Sequence, residues 1–272
     1  MPLTFPSHLA PVLPLKLWRP RWFDGVALTV GAVSPDVAYL AAGSRFDLGM
    51  RTHTGAGLFW WCLPVTLVYT WVVRRSIAGI AVHLPADRVF AWRDYAALGG
   101  VRHPWWITIG SALLGAASHV GWDRLTHTDG WLRALGVDWY AATGDPWWTV
   151  ADPVSTTVGA AVVLGLALRL GQRREIFDGE PPPAPQARPR VFWTAAALVV
   201  AVGAPVLPAL PAATALTPTG VRLLHLGALA LIVGGLAVTA TPTDQRPLAR
   251  TGPGPARRRR GDRSEEKQRP ER

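Results

Sequence analysis

Charge is scarce in this chain: Asp, Glu, Lys and Arg make up 17% of its 272 residues, against about 25% in a soluble globular domain. That excludes a chain able to cover its whole surface with polar groups. Cysteine is scarcer still, with Cys62 alone. A single thiol excludes an intramolecular disulfide and argues against a structural zinc site built on thiolates. Its place inside an apolar block reads as a small core residue. No charged n-region precedes the first apolar run, so no signal peptide is expected. Long-period internal repeats are also missing.

What is present is hydrophobicity, 49% of the chain, gathered in blocks. Six stretches stand out, roughly 26–42, 56–73, 104–121, 154–170, 191–210 and 221–240. Most approach the roughly 20 residues a helix needs to cross the hydrocarbon of a bilayer. Ser34-Pro35-Asp36 interrupts the first, and Pro205 and Pro208 break the fifth. Tryptophans such as Trp60, Trp61, Trp105, Trp106, Trp147 and Trp148 sit near segment ends, as interfacial tryptophans do. The expected fold is all-α, a polytopic transmembrane helix bundle of about six spans. Residues 3–17 are apolar but too short to span, and Pro6, Pro11 and Pro14 break them. They read as a short N-terminal re-entrant segment.

Basic residues alternate between the connections. Residues 10–25 carry Lys16, Arg19 and Arg21, residues 74–103 five Arg, and residues 171–190 four. The intervening connections are poorer, and 211–220 has none. The positive-inside rule then puts the basic connections and the C-terminus in the cytoplasm of a multi-pass inner (plasma) membrane protein. Residues 1–175 read as a membrane domain and 176–190 as a Pro-rich cytoplasmic linker. A two-helix transmembrane hairpin at 191–240 and a basic cytoplasmic tail at 241–272 follow. The tail holds nine Arg and one Lys against five acids, a composition expected to be disordered. Its expected partner is anionic membrane lipid, with no specific nucleic acid.

The most informative stretch is "ASHVGWDRLTH", residues 117–127. On a helix turning 100° per residue, His119, Asp123 and His127 fall within an arc of about 80°. On the expected topology Asp36, His53, His119, Asp123 and His127 reach the same membrane face from three neighbouring helices. Ionisable residues at membrane depth are costly and are functional candidates by default. His8 joins them if the N-terminal segment dips into the membrane domain, and is out of reach if it lies on the cytoplasmic surface. Imidazole nitrogen with carboxylate oxygen suits a divalent metal, Zn²⁺ first, with Mn²⁺ or Fe²⁺ as alternatives. The competing interpretation is a hydrogen-bonded His119–Asp123 pair that pins helices together. His83, His103 and His225 have no evident partner.

Four ordered motifs carry a family resemblance: "PLTFPSHLAPVLPLK", "GAVSPDVAYL", the His of "RTHTGAGLFWWCLPVTLVY", and "LLGAASHVGWDRLTHTDG". Together they resemble an uncharacterised bacterial integral-membrane family known as a domain of unknown function. More distantly the chain is similar to membrane-bound metal-dependent hydrolases. The resemblance implies a site of His8, Asp36, His53, His119, Asp123 and His127. Two departures stand out. No second acid follows Pro35-Asp36, and "ADPVSTTVG" offers only Asp152 where related sequences carry a histidine.

Two classes of function follow. One is a metal-dependent hydrolase in which metal-activated water cleaves a phosphoester or acyl ester of a lipid or envelope precursor. Asp123 would there be a ligand or the base that deprotonates the water. The other is non-enzymatic, either metal or proton handling or an assembly partner.

Overall fold

The computed structural model describes residues 5–85, 89–173 and 186–240. The tail at 241–272 and residues 176–185 of the expected linker lie outside them. No β-strand occurs among the described residues. Two short N-terminal helices, α1 (Phe5–Leu9) and α2 (Leu13–Trp18), precede α3 (Gly25–Gly31). The long helices are α4 (Gly55–Ala81), α5 (Trp105–His127), α8 (Trp148–Arg173), α9 (Pro189–Ala209) and α10 (Leu216–Ala240). Between α5 and α8 lie the short α6 (Gly130–Ala134) and α7 (Trp139–Thr143).

Four of these helices, α4, α8, α9 and α10, are long and apolar enough to cross a membrane. Two of the six expected spans are not among them. The first, 26–42, is not one helix. Pro35 brings no backbone N–H, and the Ser34 hydroxyl donates to the Gly31 carbonyl at 2.8 Å, a local bond that competes with helix continuation. The chain resumes as a 3-10 helix, Pro35–Ala41. The third expected span forms α5, whose last turns carry His119, Asp123, Arg124 and His127. Large apolar side chains such as Leu198, Val202 and Leu229 remain exposed on α9 and α10, as faces meeting lipid would be.

Small residues set how closely the helices approach. On α5 the buried residues Ser111, Ala112, Gly115, Ala116, His119 and Val120 form one stripe at helical spacing, with Thr126 buried in the last turns. A Cβ on Gly115 would run into the Leu28 carbonyl, so α3 lies directly on this stripe. One turn further along, His119 reaches the Ala32 carbonyl. On α8 a Cβ on Gly159 would strike the Ser7 backbone. That contact seats α1 against α8 and buries Ser7 and His8. A Gly159→Leu change is therefore expected to displace α1, costing about 1–3 kcal/mol through overpacking. Ser7→Cys in a Cys62→Ala background should resist maleimide alone and react once Gly159→Leu is added. Equal protection in both backgrounds would contradict this packing.

Two buried charges brace the bundle. Asp24 caps α3 through Ala27 N, accepts from Thr108 Oγ1 at 2.8 Å, and pairs with Arg74 of α4 at 2.6 Å. At α10, Arg222 is 4% exposed. Its guanidinium donates to the carbonyls of Leu40 at 3.2 Å, Ala42 at 3.0 Å and Pro211 at 2.7 Å. It thereby closes the C-terminal end of the 3-10 helix that carries Asp36. The composition of 221–240 drew attention only to His225, and Arg222 was missed. His83, which lacked an evident partner, ties α4 to α9. It hydrogen-bonds Gly79 O, accepts from Arg188 N at 2.9 Å, and stacks on Phe192.

Candidate metal centre

Four elements deliver the polar cluster. His8 comes from α1, Asp36 from the 3-10 helix, and His53 from the turn before α4. His119, Asp123 and His127 come from α5, as helical spacing requires. His8 and His119 are fully buried, His53, Asp36 and Asp123 half-buried. Thr54 caps α4 by accepting from Gly57 N. The π turn at Leu58–Cys62 precedes Pro64, which cannot donate its backbone N–H. These local features fix where His53 points.

The distances converge. His119 Nε2 lies 3.5 Å from Asp36 Oδ1 and 3.3 Å from Asp123 Oδ2. His53 Nε2 lies 3.3 Å and 3.5 Å from the same two oxygens. His8 Nε2 is 3.6 Å from Asp123 Oδ1, and its ring stacks on His119 with centroids 3.8 Å apart. All six expected residues meet here.

Hydrogen bonds assign the proton on two of these rings. His119 Nδ1 lies 2.8 Å from the Ala32 carbonyl, which can only accept. Its proton is therefore on Nδ1, and in the neutral ring Nε2 carries a lone pair. The Thr52 hydroxyl donates to the Pro35 carbonyl at 3.2 Å, so it accepts from His53 Nδ1 at 3.1 Å. His53 Nε2 thus also presents a lone pair. In the neutral rings both nitrogens face carboxylate oxygens, an arrangement that repels unless a proton or a metal cation lies between them. Separations of 3.3–3.6 Å match the edge of a tetrahedron with bonds of about 2.1 Å. His119 Nε2 and His8 Nδ1 are buried without a hydrogen-bond partner, which fits donors kept for an ion.

Among the described residues two triplets could hold a metal ion: His8, Asp36 and His119, and His53, His119 and Asp123. Each has its ligand atoms within 4.8 Å of one another. With Nδ1 engaged, His119 has one nitrogen to give, so the triplets are two faces of one centre. His127 lies outside both. It reaches the centre through Asp123 Oδ1 at 3.4 Å, while its Nε2 meets Asp152 Oδ1 at 3.4 Å. Thr126 repeats the Thr52 device: its hydroxyl donates to Trp122 O and accepts from His127 Nδ1. The recurring Thr-His-Thr at 52–54 and 126–128 was a signal present in the sequence for these hydroxyls. Asp152, noted there only where related sequences carry histidine, is buried at the edge of the cluster.

An all-α transmembrane helix bundle with a cluster of His and Asp residues that could hold a metal ion is the class of protein that fold and site define. The chain belongs to the family described as Domain of unknown function (DUF4184), whose model matches residues 1–241. No curated protein and no solved structure matches the chain.

Proposed function

We propose that this protein is a membrane-embedded metal-dependent hydrolase acting on a phosphoester or acyl ester of a lipid or envelope precursor. The observation that carries the reading is the convergence of His53 Nε2 and His119 Nε2 on Asp36 and Asp123. Zn²⁺ suits a mixed imidazole and carboxylate set, with Mn²⁺ or Fe²⁺ as alternatives. Bound there, such an ion supplies water acidified to a pKa of about 7, and so hydroxide at neutral pH. The ligands would be His8, Asp36, His53, His119 and Asp123. Ala32 and Thr52 hold two imidazoles in the ligating tautomer, the role outer-shell partners play at metal sites. His127, between Asp123 and Asp152, is positioned to carry a proton away from the centre. The basic tail is assigned to the cytoplasm and the centre to the opposite half of the bundle.

The second reading is a non-enzymatic protein whose cluster joins helices. It draws support from the His119–Ala32 bond between α5 and α3 and from the stacking of His8 on His119. Elemental analysis of the full chain, purified in detergent without chelator, separates the two. About one divalent ion per chain is expected, falling below about a tenth in His119→Ala. A metal-free parent protein would overturn the hydrolase.

A further inference from the structure

Beside the centre, α5 and α8 enclose a groove of about 360 Å³, within the range of about 300–1,000 Å³ typical of small-ligand sites. Trp122, Leu125, Trp131, Trp147, Val154 and Val158 supply much of its lining. Every polar handle on these walls is turned away. Trp131 Nε1 and Trp147 Nε1 both donate to the Leu125 carbonyl, at 3.0 Å and 2.7 Å. That carbonyl lies in the last turn of α5, where intrahelical donors run out. Trp122 Nε1 donates to Ser155 Oγ at 3.2 Å, and the Thr126 hydroxyl is engaged by Trp122 O and His127. Three indoles are thus locked with only their ring surfaces left to face the groove. Hydrocarbon, and no hydrogen-bonding ligand, matches such walls.

The groove lies beside the chemistry. Thr126 and Ala151 line it, and their chain neighbours His127 and Asp152 meet at 3.4 Å. Its other wall is α8, one of the helices long and apolar enough to cross a membrane, and tryptophan gathers where such helices meet the interface. What a bilayer offers at that position is a lipid chain.

We infer that this groove seats a hydrocarbon chain of a membrane lipid, so that the ester at the end of that chain is presented to His127 and Asp123. The binding stands on the groove alone, and the reaction rests on the hydrolase reading above. The substrate class is then an amphiphile recognised by its tail and cleaved at the ester where that tail ends.

The test uses the full chain in nanodiscs of phosphatidylglycerol and phosphatidylethanolamine, doped with phosphatidylglycerol bearing a mid-chain diazirine. After irradiation, adducts on Val150, Val154 and Val158 are expected at least about fivefold above those on the lipid-facing Leu198 and Val202. Val154→Trp should bring the groove down to that background with metal content unchanged. Val158→Trp, one turn along, serves if the first variant fails to fold. Groove labelling equal to background, or unmoved by either tryptophan, overturns the inference. So does diazirine-independent crosslinking of the groove to a second copy of the chain. Groove labelling that persists in a metal-free parent protein upholds the chain site while removing the hydrolase.

Discussion

Asp123→Asn is expected to strip the centre of metal while leaving the bundle folded. The carboxylate of Asp123 lies within 3.3–3.6 Å of His8, His53, His119 and His127, more histidines than any other acid in the cluster meets. Asparagine keeps its shape but replaces one oxygen with an amide that donates. An amide N–H pointed at the Nε2 lone pair of His119 or His53 makes a hydrogen bond where a cation would otherwise sit. Stability should therefore hold while metal affinity falls by more than about a hundredfold, beyond the 10–100-fold typical of losing an outer-shell partner. Thr52→Val, which frees His53 to change tautomer, should fall within that smaller range. Elemental analysis with a thermal melt reads both. Asp123→Asn protein that keeps its full complement of metal would sink this account of the centre.

The second large effect belongs to the other end of the bundle. Asp24→Leu alone leaves Arg74 buried without its carboxylate, a change that costs about 3–5 kcal/mol in buried pairs. Asp24→Leu with Arg74→Leu should recover most of that loss, because the cost lies in the unpaired charge. Thermal or chemical unfolding in detergent compares the three proteins. A double variant as unstable as the single one would contradict the reading. The same pair sets a pH dependence. Burial alone would push the Asp24 carboxyl up, but the Thr108 hydrogen bond and the Arg74 charge hold it below its ordinary value. A carboxyl depressed in the fold contributes stability above the ordinary carboxylate range. That contribution is lost as pH falls below about 4. In the double variant this acid-dependent component should vanish.

How much of this could be read beforehand depended on distance along the chain. His119, Asp123 and His127 were legible from spacing, since one helix fixes their common face. Asp36 and His53 were placed by the expected topology and, with His8, by ordered motifs; no local pattern says that α1 docks on Gly159 or that Thr52 sets a tautomer. Asp24 and Arg74 lie on different helices, and Arg222 reaches a carbonyl 182 positions earlier. Pairings of that kind leave no periodic trace. The break in the first expected span escaped for a related reason. A hydropathy window averages across Ser34-Pro35, whereas the backbone must find a donor at each step and stops.

The Arg222 clamp has a consequence for biogenesis. Every His and Asp of the cluster lies at or before position 152, yet the helix end that aims Asp36 is closed by a guanidinium from the last helix of the described chain. As the protein emerges from the ribosome, the Leu40 and Ala42 carbonyls wait without that donor until residues 216–240 have been made and docked. The centre is thus finished last. A chain truncated before its final helix would carry all the chemistry of the site without the part that sets it.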